Sequence, residues 1–196
     1  AGTYKDFFRA AMEYIDNAVD AASIKKESGV ALKALLEIRV DINGKKISFI
    51  DNCGGMSPQE LCELLSEVGR SKKKTVAWAN GQFGFGVHAF RAFAKEAIFI
   101  SRKKGHEEAK IKIDRTFDEN VSVPCEASGG KQLEKPGTMV TISKFDPQVF
   151  KKQIFVKSLV SEIERHFDDV LRSKLIRIIV SDDSSKQYEC QSFNYS

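Results

Sequence analysis

The sequence is poor in the features that mark several protein classes. Its four cysteines (Cys53, Cys62, Cys125 and Cys190) are spread along the chain, with no C-x-x-C pair and no histidine cluster beside them. That spacing argues against a disulfide framework or a zinc site and for a reducing, intracellular setting, cytoplasmic or nuclear. No apolar run approaches the ~20 residues that span a bilayer, and no basic-then-apolar leader is seen, so no membrane partner is expected. Charge of one sign is scarce too. Thirty-one Lys+Arg against 27 Asp+Glu leave +4, too little to name nucleic acid as a partner. There is no internal repeat and no low-complexity tract. The chain starts Ala1-Gly2 without a methionine, as expected of a piece excised from a longer protein.

What is present reads as one large globular domain of 196 residues, 42% hydrophobic and 30% charged. From Tyr4 to Ala22 apolar residues recur at three- and four-residue steps (Phe7, Phe8, Ala11, Ile15, Ala18, Val19, Ala22), the period of an amphipathic helix. Two alternating runs, Glu37 to Ile42 and Lys46 to Ile50, flank Asn43-Gly44 and predict a β-hairpin with a type I′ turn. Ser57-Pro58-Gln59-Glu60 has the pattern of a capping box opening a helix that ends near Gly69. Arg70 to Gly86 reads as a long basic loop of the kind used as a lid. A short helix over Val87 to Ala94, strands over Ala97–Arg102, Lys110–Asp114 and Met139–Phe145, an irregular stretch from Phe117 to Pro136, a long helix over Phe155–Arg172 and two closing strands (Leu175–Val180, Tyr188–Gln191) complete the order. It lacks regular βα alternation, so the expectation is α+β: a two-layer sandwich with helices on one face of a mixed, mostly antiparallel sheet.

Four short motifs carry chemistry. In Glu13-Tyr14-Ile15-Asp16-Asn17-Ala18-Val19-Asp20, residues Glu13, Asn17 and Asp20 share one stripe of the first helix; a solvated face has the same pattern. In Asp51-Asn52-Cys53-Gly54-Gly55-Met56 a carboxylate precedes two glycines that let the backbone turn sharply, which also fits a plain tight turn into a capped helix. In Gly81-Gln82-Phe83-Gly84-Phe85-Gly86 glycines lead into a helix N-terminus, a cradle for phosphate. No Gly-Lys-[Ser/Thr] follows, so it is not a P-loop. The Gly84-x-Gly86-x-x-Ala89 match to a dinucleotide fingerprint lacks the preceding strand. Gly137-Thr138 opens a strand and by itself says little.

In this order and spacing the four motifs resemble the GHKL superfamily (gyrase, heat-shock chaperone, histidine kinase, MutL), the Bergerat ATP-binding fold. The resemblance covers residues 13 to 142 and is nearest in motif style to MORC, MutL and chaperone ATPases; residues 143–196 add a closing strand, helix and strands. It implies ATP and Mg2+ as cofactors. It implies Glu13 as the catalytic general base and Asn17 as the metal-holding residue. Asp51, Gly55, Met56 and Thr138 would bind adenine. Gly81, Gln82, Phe83, Gly84, Phe85, Gly86 and Val87 would surround the phosphates. Asp16 and Asp20 are expected to be structural, His88 to pack behind the phosphate loop, and Lys72, Lys73 and Lys74 to form a solvated run.

The implied function is Mg-dependent ATP binding with slow hydrolysis, used as an ATP-driven clamp that dimerises through the lid and N-terminal segment. DNA or a client protein remains open as partner. Hydrolytic relatives commonly receive a phosphate-binding lysine from a following domain, so slow turnover is expected of this chain alone. A histidine- or serine-kinase-type domain and a non-hydrolysing nucleotide-binding module stand as alternatives.

Overall fold

The computed structural model describes residues 7–66, 86–116, 126–150 and 155–193. The first helix, α1, spans Phe7–Glu27 and buries the apolar stripe from Phe7 and Ala10 through Ile15 to Ala22. It ends in a Schellman-type cap: the Gly29 amide donates to Lys26 O (3.1 Å) and the Val30 amide to Lys25 O (3.1 Å). The hairpin follows as β1 (Leu35–Asp41) and β2 (Lys46–Asp51). Its turn differs from the type I′ expectation. Asp41 pairs with Lys46, so four residues form the loop. The left-handed residue is Lys45 (φ 52°), and the Asp41 carboxylate accepts from the Gly44 amide at 2.7 Å. This local bond selects the longer loop over the two-residue turn that Asn43-Gly44 suggests.

Helix α2 spans Pro58–Ser66, and its capping box is formed as expected. The Glu60 amide donates to Ser57 Oγ and the Ser57 amide to Glu60 Oε1, both at 3.2 Å. The remainder of that helix, to Gly69, lies outside the described residues. A 3-10 turn at Ala89–Ala92 stands where a helix over Val87–Ala94 was expected. The helix is cut short because β3 (Ala94–Arg102) begins three residues earlier than the pattern suggests, drawn into the sheet by pairing of Ala94 with Phe145 and Glu96 with Ser143. Strands β4 (Ala109–Asp114), β5 (Glu126–Ala127) and β6 (Gly137–Phe145) follow. β5 is a short strand within the stretch expected to be irregular. The expected long helix is divided into α3 (Phe155–His166) and α4 (Asp168–Ser173), with the break at Phe167, whose ring is buried. The chain then enters β7 (Arg177–Asp182) and β8 (Gln187–Glu189).

The eight strands form one open mixed sheet in the order β5-β4-β3-β6-β2-β1-β7-β8. Only the β1–β7 pair is parallel among them. The architecture is α+β, as expected. Alternate positions of β1, β2, β4 and most of β6 are buried, and the register aligns buried positions of β1, β2, β6 and β3 in rows across the sheet. One row runs Leu36–Asp51–Thr138–Ser101, the next Ile38–Phe49–Val140–Phe99, and the third Val40–Ile47–Ile142–Ala97. The second and third rows are wholly apolar and join the α1 stripe in a single core. The first row breaks the pattern with three polar side chains, all buried. At one end of that core Phe7 meets Phe93, Phe145 and Phe155 with ring centroids 5.1–6.1 Å apart, which anchors the start of α1 and leaves its middle turns over the polar row.

Candidate functional site

Where α1 crosses the first two rows, the side chains do not fill the space. A cavity partly open to solvent is lined by Tyr14 and Asn17 from α1, Leu36, Phe49 and Asp51 from the hairpin, and Met56 from the following turn. Leu64, Val87, Phe99, Thr138 and Val140 close it. Its walls are mostly apolar with a few convergent polar groups, the common composition of a small-molecule site.

Asp51 ends β2 opposite Thr138 on β6. Burial pushes its carboxyl up to about 6, and hydrogen bonds from the backbone amides of Cys53 and Thr138 oppose that rise. The Cys53 bond measures 2.8 Å. Behind it Ser101 holds three neighbours at once. Its hydroxyl accepts from the Met56 amide (2.8 Å) and shares its proton and other lone pair between Gly137 O (3.1 Å) and the Thr138 hydroxyl (2.8 Å). Gly55 lies at φ +67°, and a Cβ there would run into the backbone carbonyls of Arg102 and Gly137. A Cβ on Gly137 would likewise run into Asp51 O. The close approach that these two glycines permit is therefore strand backbone against turn. This end of the cavity is rigid before any ligand arrives.

The α1 end is different. Asn17 Oδ1 is buried and has no hydrogen-bond partner among the described residues, a costly state for an amide oxygen. Asp16 beside it is pushed up to about 6 by burial; the His166 charge opposes the rise, and Glu13 and Asp20 add to it. Burial also raises Asp20. A methyl group built on Gly86 would lie 2.9 Å from Glu13 Oε2 and 3.3 Å from Glu13 Cβ, so the last glycine of the third motif rests against the helix stripe. Burial, then the Arg91 charge, lowers His88 to about 4, which leaves the imidazole neutral at physiological pH.

The structure thus brings together Asn17, Asp51, Met56, Val87 and Thr138 around one cavity, with Gly55 supporting the turn and Gly86 against Glu13. Gly81, Gln82, Phe83, Gly84 and Phe85 lie outside the described residues, as do Lys72, Lys73 and Lys74. Two residues escaped the sequence reading. Tyr14 donates to Val87 O (3.1 Å) and accepts from the Phe90 amide (2.9 Å), tying α1 to the segment behind the glycines. Its place three residues before Asn17, on the same helix face, is a signal that could have found it. Ser101 has no such signal, because only strand register brings it to the turn.

Asn17 also tests whether a metal fits. A hard divalent cation of the magnesium type takes few protein ligands, all oxygen, and a buried amide oxygen lacking a partner is such a ligand. Among the described residues no group of three or more His, Cys, Asp and Glu could form a closed metal cage.

The family model described as "Histidine kinase-, DNA gyrase B-, and HSP90-like ATPase" matches residues 4–143. The chain belongs to this ATPase family. Two curated relatives are similar over shorter shares. The chaperone protein HtpG of Azorhizobium caulinodans is 30% identical over 119 residues, 50% of this chain and 19% of that protein. HtpG of Aliarcobacter butzleri is 25% identical over 154 residues, 72% of this chain and 23% of that protein. The chain spans about a fifth of the length of these relatives. For an ATPase domain, ATP is the ligand against which the cavity has to be read. Among the described residues no helix is long and apolar enough to cross a membrane.

Proposed function

We propose that this ATPase domain binds Mg2+–ATP in the cavity between α1 and the β2–β6 pair, and hydrolyses it slowly with Glu13 as general base. The observation that carries the reading is the pairing of two unlike groups in one apolar cavity: a buried carboxylate at one end and an amide oxygen without a partner at the other. Asp51, ionised at neutral pH, accepts a hydrogen bond from the exocyclic amino group of adenine. The Thr138 hydroxyl completes the polar edge, and Met56 packs an adaptable thioether against the base. Asn17 Oδ1 holds the metal, which when bound neutralises phosphate charge. Glu13 accepts a proton from the attacking water. The backbone amides of Gly81 to Val87 surround the phosphates. Nucleotide binding would drive dimerisation through the lid and N-terminal segment and make the domain a clamp.

Two assays test this. A fluorescent ATP analogue should bind with Mg2+ while the matching GTP analogue binds at least about tenfold more weakly, because guanine presents a carbonyl where adenine presents an amino group. Phosphate release from the chain alone should be slow, and Glu13→Ala should abolish it with little change in affinity. Equal binding of the two analogues sinks the role of Asp51. Robust turnover refutes the slow cycle, and label from ATP appearing on protein favours a kinase.

A further inference from the structure

Next to the turn that carries Asp51 lies a second concavity, sharing Asn52 and Gly54 of that turn as a wall. Its floor includes Val30, Leu32 and Pro136. Val30 and Leu32 are 49% and 37% exposed, two of the three large hydrophobic side chains left in solvent among the described residues. Their exposure is imposed by the fold. The segment is fixed at one end by the Val30 amide on Lys25 O (3.1 Å). At the other, the Asn52 side chain donates to Lys33 O (2.9 Å) and accepts from the Leu35 amide (2.8 Å).

Around that floor stand Lys25, Lys33, Lys103, Lys104 and Lys135, and among the described residues no carboxylate lines the pocket. Lys103 is paired with Glu60 at 2.7 Å. The other four make no ion pair among the described residues. Five lysines in one concavity, on a chain whose net charge is only +4, concentrate a positive field over an apolar floor.

We propose that this pocket docks an acidic peptide segment that places a leucine or phenylalanine side chain on the Val30–Leu32–Pro136 floor and its carboxylates among the lysines. Charge complementarity selects an anionic partner. The floor then distinguishes a peptide from nucleic acid: among the described residues no aromatic ring or arginine lines the pocket to stack a base or grip a phosphate with two prongs, whereas a concave apolar floor suits an aliphatic or aromatic anchor. The pocket does not include the groups assigned to nucleotide, so the proposal stands or falls apart from the ATP reading.

The test is fluorescence polarisation of the whole chain with a short fluorescein-labelled peptide of glutamates interrupted by leucine and phenylalanine. Saturable binding is expected. Replacing the leucine and phenylalanine by serine in the peptide should weaken it at least about tenfold, and so should the combined Lys33→Glu, Lys104→Glu and Lys135→Glu variant. That variant should keep its melting temperature and its affinity for the ATP analogue, showing that it is folded. Leu32→Ser should weaken the peptide without changing the charge. Equal binding of the serine peptide, or no effect of the lysine changes, overturns the proposal. A duplex DNA of matched charge that binds more tightly and displaces the peptide overturns it in favour of nucleic acid. A chain that ignores the peptide but forms a dimer broken by Leu32→Glu overturns it in favour of self-association.

Discussion

At the β2–α2 end of the cavity, Asp51, Cys53, Met56, Ser101, Gly137 and Thr138 hold one another through backbone pairing and hydrogen bonds of 2.8–3.1 Å. At the α1 end, Asn17 Oδ1 is buried without a partner among the described residues, and burial pushes Asp16 up to about 6. Both ends are polar and both are buried, yet only the first is satisfied by the protein itself. Recognition of a flat base needs fixed geometry and gains from rigidity. A site for a cation and a triphosphate instead needs unsatisfied oxygen acceptors and a segment that can close. In the proposed reading, polar groups are satisfied where the base would lie, and Asn17 Oδ1 is left unsatisfied where the metal would be held.

The largest effect should come from filling the rigid end. Gly55→Ala forces a positive φ on a residue with a Cβ and drives it into two carbonyls, so a loss of about 3 kcal/mol or more is expected, read as a large fall in melting temperature. If the melt scarcely moves, the rigidity argument fails. Asp51→Asn should weaken the ATP analogue about 10- to 100-fold while the chain stays folded. It also carries a pH signature. The folded pKa of Asp51 is about 6, against an ordinary 3.8, so the folded state favours the neutral acid. Its contribution to stability without nucleotide is fully present below about 4 and is lost as pH rises through about 6. Nucleotide affinity runs the other way and should fall as pH drops below about 6. In Asp51→Asn that part of both slopes should vanish, and the nucleotide-free melting temperature at pH 7.5 should rise.

Tyr14→Phe removes the hydroxyl shared by Val87 and Phe90 and should cost about 1–2 kcal/mol in thermal or urea unfolding. Since it ties α1 to the segment behind the glycines, a neutral result would mean that this hydroxyl does not hold the α1 end in place. The smallest expected change in stability, within about 1 kcal/mol and of either sign, is for Asn17→Ala, which deletes the unsatisfied oxygen but leaves a small void. A strongly destabilised Asn17→Ala would show that the residue is held by the protein after all.

Much of the rigid end was legible because its signals are local. Alternation in β1 and β2, the Ser57–Glu60 capping box and the opening of β6 at Gly137 each occupy a few adjacent residues, and each formed as read. What was illegible depends on distant partners. The strand start at Ala94 is set by Phe145, and the need for glycine at position 55 is set by the carbonyls of Arg102 and Gly137. Ser101 reaches the turn only because the register lays it beside Thr138. The turn at Asn43-Gly44 misled for the opposite reason: the Asp41 carboxylate, three residues before the glycine, captured its amide. At the α1 end the stripe was visible as a period, but not that Asn17 would face a cavity rather than water.

The most direct test is calorimetric titration of the domain and its Asn17→Ala and Asp51→Asn variants with a non-hydrolysable ATP analogue, with and without Mg2+. The native chain should bind more tightly with magnesium. Asn17→Ala should lose that difference while keeping its magnesium-free affinity, and Asp51→Asn should bind poorly under both conditions. If both variants bind like the native chain and respond to magnesium as it does, the cavity between α1 and the β2–β6 pair is not where this domain holds its nucleotide.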